Sequence, residues 1–355
     1  MKPFSPQAQQ RGMTLVELMV GIAIGLFLAM VTISVFVSSR TLFSVGSAQS
    51  RMEENSRLAM DLLKNDLRQA GFLGCHPSWL ATSDVVSTLS GASSTGFLDV
   101  GTAGIQGYDG GTPSAPAGTF SPSLPGVLTA LANPPIAGSD VIAVRVPADD
   151  MALGLATPMS STTDSPNVGT VSYNSFKSGD VAYIADCKGA AMFVVTGVSS
   201  TGQLQHATSS SGLGNSTTDL QRAFQGDAGV YRLQTHYYYV ANSVLHPGTH
   251  SLWMYVSPDG TATEVATGID ALNASFGVDT NSDQAADQYM TADAVPAASW
   301  DSVVSVQIQL LSSTTQDNVT RSNVSTAFAG GTVNRTDHRL QTAMSEVIAL
   351  RNKAP

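Results

Sequence analysis

The chain has 355 residues, of which 43% are apolar and only 12% charged, against roughly 25% charged in an ordinary soluble domain. Seventeen Lys and Arg against 27 Asp and Glu leave a net charge of −10, which argues against a general nucleic-acid binder working by phosphate neutralisation. Two cysteines allow one disulfide at most and exclude both a disulfide scaffold and a four-cysteine zinc site.

The apolar residues gather at the start. Residues 1–12 form a polar leader whose only charges are Lys2 and Arg11, and residues 13–37 form an apolar run whose only charge is Glu17. A helix needs about 20 such residues to span the hydrocarbon layer, so this run can span. Lys2 and Arg11 put the leader on the cytoplasmic side and everything after residue 37 across the membrane. A secretory signal would have a shorter apolar region. A plain anchor leaves Glu17 unexplained, because a carboxylate in a spanning helix needs a partner or a function.

The residues RGMTLVEL, Arg11–Leu18, resemble the class III signal of type IV pilins and type II secretion pseudopilins. The resemblance implies that a membrane peptidase, the prepilin peptidase, cuts after Gly12. Met13 then becomes the N-terminal residue and is N-methylated, and Glu17 is the fifth mature residue. Met13 stands where the family usually has Phe. The arrangement is physically coherent: in a filament of packed helices the new amine and the Glu17 carboxylate of a neighbouring subunit can pair, so that neither charge stays bare in apolar surroundings. The alternative is that Glu17 merely snorkels to the headgroups.

From residue 38 to 71 the helical period continues as an amphipathic segment. Val45, Ala48, Met52, Ala59, Leu62, Leu63, Leu67 and Ala70 fall at three- and four-residue steps, with charged residues on the other faces. Gly71 and Gly74 are the expected stop. A helix over residues 13–70 would be about 87 Å long at 1.5 Å per residue. Residues 72–139 read as a Ser/Gly-rich connecting region with a strand near Thr95–Val100. Residues 140–355 read as a β-rich head, with strand patterns starting near residues 140, 180, 191, 230, 251, 301 and 345. In one of these Val304, Val306, Ile308 and Leu310 alternate with Ser305, Gln307 and Gln309, the mark of a strand with one wet face. The expected fold class is therefore α+β and pilin-like. A long N-terminal helix, transmembrane then amphipathic, packs on a mostly antiparallel sheet.

Further blocks narrow the resemblance to the PilW family of large minor pilins: RMEENSRLAMDLLKNDLRQAGFLGC at 51, ADCKGAAMFVVT at 185, HYYYVAN at 236, GVDTNSDQAADQY at 277, WDSVVSVQIQLL at 300 and HRLQTAMSEVIALRN at 338. It implies a structural subunit of the type IV pilus. Such a subunit assembles with other minor pilins and the major pilin, helps initiate the pilus, stays near its tip and can carry a large adhesin. Before assembly it sits in the inner membrane with its head in the periplasm. The alternatives are a large tip pseudopilin of a type II secretion system, or a head that binds a surface or DNA directly. No nucleic acid is favoured, since removal of Lys2 and Arg11 leaves 15 basic against 27 acidic residues, a net charge of −12.

No enzyme motif is present: there is no GxSxG elbow, HExxH helix, Walker loop or GxGxxG fingerprint. His246 and His250 have metal-like spacing, but the Pro247-Gly248 turn between them breaks the helical face a metal pair needs. The run Tyr237, Tyr238, Tyr239 could stack a ligand, although burial in a strand is the favoured reading. Cys75 and Cys187 both fall in the exported part, one after the stem helix and one at a strand end, so a disulfide between them is expected. No cofactor is expected apart from a candidate calcium ion in the loop of residues 279–287. There Asp279, Asn281 and Asp283 alternate as the first three ligands of a calcium loop do, and Asp287 could hold a bridging water. Gln284 and Met290 stand where such a loop wants Gly and Glu, and the competing reading is a solvated acidic turn.

Overall fold

The computed structural model describes residues 13–72, 74, 85–90, 104–148, 152–170, 175–209 and 212–353. It forms two compact units, residues 1–50 and 51–355, and a single helix, α1 (Leu15–Gln69), has residues in both.

In the first unit α1 contains no proline, and its glycines, Gly21, Gly25 and Gly46, have nothing within contact distance of an added Cβ. All side chains of residues 13–44 are exposed. The stretch is long and apolar enough to cross a membrane. Its hydroxyls turn inward on their own helix: Thr32 Oγ1 donates to the carbonyls of Leu28 and Ala29, Ser34 Oγ to Val31, and Thr41 Oγ1 to Val37. Such bonding satisfies polar groups locally where no water is available.

In the second unit the same helix is amphipathic. Ala59, Met60, Leu63, Leu67 and Ala70 form its buried stripe. Helical bonding ends at Gln69, Phe72 N donates to the Gln69 carbonyl at 3.0 Å, and Gly71 takes the left-handed conformation (φ 69°) that glycine adopts without a Cβ penalty. The expected stop is therefore where the chain turns.

The strands of three or more residues are, in chain order, β1 (Val85–Ser87), β2 (Ile105–Thr112), β3 (Ala115–Ser121), β4 (Val141–Pro147), β5 (Val181–Asp186), β6 (Gly189–Val194), β7 (Gly229–Asn242), β8 (His250–Ser257), β9 (Thr261–Thr267), β10 (Ile269–Val278), β11 (Gln288–Met290), β12 (Val303–Ser313), β13 (Val324–Phe328), β14 (Gly331–Arg335) and β15 (Gln341–Ala349). The larger sheet runs β1-β6-β5-β7-β4-β2-β3, with β8 on β7 and β9 on β8. Among the described residues only its β1–β6 pair is parallel. The long β7 serves two neighbourhoods, since residues 229–233 pair with β5 and residues 235–242 with β8. The smaller sheet is the antiparallel β11-β10-β12-β15. The β13–β14 hairpin lays Phe328 on Ala271 and Leu311.

One core joins the helix to both sheets. Leu63, Leu67 and their neighbours share it with Ile142 and Val144 of β4, Tyr238 and Val240 of β7, Phe276 of β10, and Val306, Ile308 and Leu310 of β12. Fully burying each such side chain is worth about 1.5–3 kcal/mol. The α+β architecture expected from the sequence is present.

The connecting region differs from expectation. Residues 105–121 form the β2–β3 hairpin, and β2 is a buried member of the larger sheet. Its glycines are there for packing: a Cβ on Gly107 would come 2.4 Å from the Phe276 ring. The strand foreseen at residues 95–100 lies outside the described residues. The pattern at residue 301 begins as a 3-10 turn, Ala297–Ser302, before β12 starts.

Candidate functional site

The processing end comes first in the chain. Gly12 lies outside the described residues. Met13 is 66% exposed, Glu17 is in the first turn of α1, and its backbone N–H donates to Thr14 Oγ1 at 3.3 Å. A carboxylate in the first helical turn is favoured by the helix dipole. No side chain of the described residues pairs with it, which leaves it available to a group outside this chain.

In the head, polar side chains hold the amphipathic half of α1 to the strands. Asn55 Nδ2 donates to Thr267 O and Oγ1 at 3.0 and 2.9 Å. Lys64 forms an ion pair with Glu346 of β15. His236 Nδ1 and Tyr238 OH both donate to Asp66 Oδ2, each at 2.6 Å. Burial, reinforced by the Asp66 charge, pushes the Tyr238 phenol far above its ordinary range, so it remains a donor. Asn352 Nδ2 donates to the Gln69 and Ala70 carbonyls at 3.2 Å each, covering the open end of the helix.

Asp140 joins the two sheets. Its Oδ1 accepts from Gly110 N of β2 at 3.0 Å, and its Oδ2 accepts from Asn273 Nδ2 and Ala274 N of β10 at 3.1 and 2.8 Å. Burial raises its carboxyl from 3.8 to about 7 against the pull of those donors, and the charges of Asp109 and Asp293 add to the rise. Asp109 is also raised, first by burial and then by Asp293. Asp293 is held low, chiefly by the Thr291 hydroxyl.

A second polar knot secures the β13–β14 side. Arg335 binds Asp270 and takes Asp337 in a fork, at 3.0 Å from Nε and 2.5 Å from Nη2. Arg339 Nε reaches Asp317 at 2.5 Å. Burial would raise Asp270, but bonding from His250 and the charge of Arg335 outweigh it and hold the carboxyl below its usual range. His250 is thus a partner of Asp270, and His246 lies in the exposed loop after β7. That loop is held by Glu264, which accepts from Ser243 Oγ, Val244 N, Leu245 N and Ser251 Oγ.

The tyrosine run is buried as the strand reading required: Tyr237, Tyr238 and Tyr239 are all under 2% exposed. The loop of residues 279–287 is a closed turn. Asp279 accepts from the backbone N–H groups of Asn281, Ser282 and Gln284. Asp283 accepts from Ala285 N and Asn281 Nδ2, and Asp287 from Thr280 N and Oγ1 and from Asn281 Nδ2. Every carboxylate here bonds its own loop. Among the described residues no three His, Cys, Asp or Glu are placed to hold a metal ion. Cys187 is exposed in the turn between β5 and β6; Cys75 lies outside the described residues.

Asp66, Asp140 and Glu264 were not anticipated from the sequence. The only local signal, a lone acid beside a strand or on a helix face, is shared with any solvated carboxylate.

Comparison with known proteins adds two family matches. Residues 237–352 match the model described as Type IV Pilus-assembly protein W, and residues 7–33 match that of the prokaryotic N-terminal methylation motif. No curated protein matches the chain. Among solved structures, a type IV-like pilin from Thermus thermophilus is similar at 12% identity over 35% of this chain and 67% of its own, with a TM-score of 0.20, too low to bear on the fold.

Proposed function

We infer, from a chain that is a PilW-like type IV pilin, that it serves as a minor pilin which helps initiate pilus assembly and sits near the tip in a complex with other minor pilins. The methylation motif implies processing by prepilin peptidase and assembly with other pilins. One observation supports the finer reading: a methylation motif and a PilW-matching head stand in one chain whose apolar helical stretch, residues 13–44, has no partner among the described residues. Exposed apolar surface of that extent calls for lipid before assembly and for other helices after it. On this reading the chain waits in the inner membrane with its head in the periplasm, then moves to the fibre at the cell surface, where a large adhesin is a further candidate partner.

The test is recovery of the tagged chain from sheared pili, with co-purified subunits identified by mass spectrometry. Low-copy recovery together with other minor pilins is expected. Its absence from sheared pili, in a strain whose piliation does not need it, would overturn the reading.

We also propose the Cys75–Cys187 disulfide. Its support is that Gly74 packs beside β5, where an added Cβ would come 2.9 Å from the Ala185 Cβ, two residues before Cys187. Closing a loop of roughly 110 residues stabilises by about 4 to 5 kcal/mol in the loop-entropy model. New thiol reactivity on reducing the unfolded protein is expected; thiols that react equally before reduction would refute the bond.

A further inference from the structure

The edges of the two sheets are not treated alike. An open strand edge invites pairing with another chain, and proteins blunt it by shortness, proline, charge or bulges. In this head β1 and β11 have three residues each. Strand β3 carries Pro116 and meets β2 through a bulge. A bulge interrupts the pairing of strand β9 with β8. Strand β15 is neither short, nor broken by proline, nor bulged. Its nine residues pair with β12 without a register shift, and its only charge, Glu346, is taken up by Lys64 of α1.

Ladder geometry shows what this edge presents. Leu350 N donates to the Val304 carbonyl at 2.9 Å and Thr314 N to the Leu340 carbonyl at 3.0 Å. Antiparallel ladders alternate, so Thr342, Met344, Glu346 and Ile348 exchange bonds with β12. Ala343, Ser345, Val347 and Ala349 then turn their N–H and C=O groups outward. All four are exposed, Val347 at 55%. No described residue bonds to those groups. Alongside runs an open groove of about 410 Å³, walled by Gln309, by Phe328 to Gly331 at the tip of the β13–β14 hairpin, and by Ala343 to Ser345. It has no charged side chain.

We propose that β15 is a docking edge to which an extended, uncharged segment from the head of another pilin adds as a further strand. The outward backbone groups supply the bonds, and the small side chains Ala343, Ser345 and Ala349 leave room for alternate side chains of the incoming strand. The uncharged groove offers nothing to an acidic or basic segment. A second copy of this chain is the poorer occupant, because processing leaves each copy at a net charge of −12 and two such heads repel. The inference rests on the reading that the chain assembles with other pilins.

The full-length chain, carrying the photo-crosslinker p-benzoylphenylalanine at Val347, tests this in whole cells. A crosslink that peptide mapping places in an extended segment of another pilin head is expected. Ser345→Pro removes an outward N–H while leaving the bonds to β12 in place, and Ala343→Lys adds a charge at the groove without touching the backbone. Each should abolish the crosslink at an unchanged level of the chain. The proposal is overturned if no crosslink forms, if it maps only to a second copy, a helix or a protein that is not a pilin, or if it persists in both variants. Failure of the pilin reading shows separately, as an uncleaved leader or absence from sheared pili.

Discussion

Between residues 15 and 44 the hydroxyls of Thr32, Ser34 and Thr41 bond to their own helix and every side chain is exposed. From residue 52 onward the same helix sends Asn55, Lys64 and Asp66 across to strands and buries Met60, Leu63 and Leu67. Both stretches are equally helical. What differs is where the partners are, with the head half finding them in its own chain and the other half having to find them in lipid or in other subunits. The contrast separates what keeps this protein folded from what places it, and mutations on the two sides should fail in different assays.

The sharpest break is at the processing end. Replacement of Gly12 by a larger residue should leave the chain uncleaved and membrane-held, whereas Glu17→Ala should be cleaved normally yet reach the pilus poorly. N-terminal sequencing and immunoblots of sheared pili check both. A normal N-terminus in the Gly12 variant would contradict cleavage after Gly12, and full incorporation of Glu17→Ala would contradict the pairing of an amine with a carboxylate between packed helices.

The next effect lies in the head. Leu63→Ala should cost about 2–5 kcal/mol through the cavity it leaves between the sheets, read as a shift of the denaturation midpoint of the full chain in detergent. Leu26→Ala, at an exposed position in the other half, should leave that midpoint where it is. Equal shifts would dissolve the contrast.

A smaller effect is the dependence on pH. The folded carboxyl of Asp140 titrates near 7 rather than 3.8, so the folded state holds a proton that the unfolded chain gives up. Its contribution is present below about 4 and is lost as pH rises toward and through about 7. Asp109 acts in the same direction, while Asp293, held low, acts below that window. Stability at pH 5 should exceed that at pH 8, and Asp140→Asn should flatten the slope.

The smallest expected effect concerns the loop of residues 279–287. With its carboxylates already bonded to its own backbone and side chains, melting in millimolar calcium and in chelator should coincide. A rise with calcium that Asp279→Ala and Asp283→Ala together abolish would establish the cation.

Much of this contrast was legible in the sequence because it is local. The apolar run, Glu17, the stripe through Leu63 and Leu67, and the stop at Gly71 each depend on residues within a few turns. So do the β4, β5, β7 and β12 runs, whose Val, Ile and Tyr clusters signal burial. The β2–β3 hairpin was hidden because glycines such as Gly107 fit a ring, Phe276, that is far away in sequence. Strand β10 was hidden by a bulge near Ile269, which breaks the alternation of its apolar residues. The polar junctions were out of reach for the same reason: Asp66 finds Tyr238 across 172 positions and Asp140 finds Ala274 across 134. No local pattern encodes such a pair.

The head's grip on α1 also has a mechanical meaning. Asn55, Lys64, Asp66 and the Gln69 and Ala70 carbonyls hold the helix at successive points, spread over about 22 Å at 1.5 Å per residue. A pull on the N-terminal end of α1 loads those ties in shear, together with the packed Leu63 and Leu67, so they must yield together rather than one after another. Because forced unfolding follows the unfolding rate rather than the equilibrium stability, ties that share a load hold the helix in the head longer than ties that peel in turn.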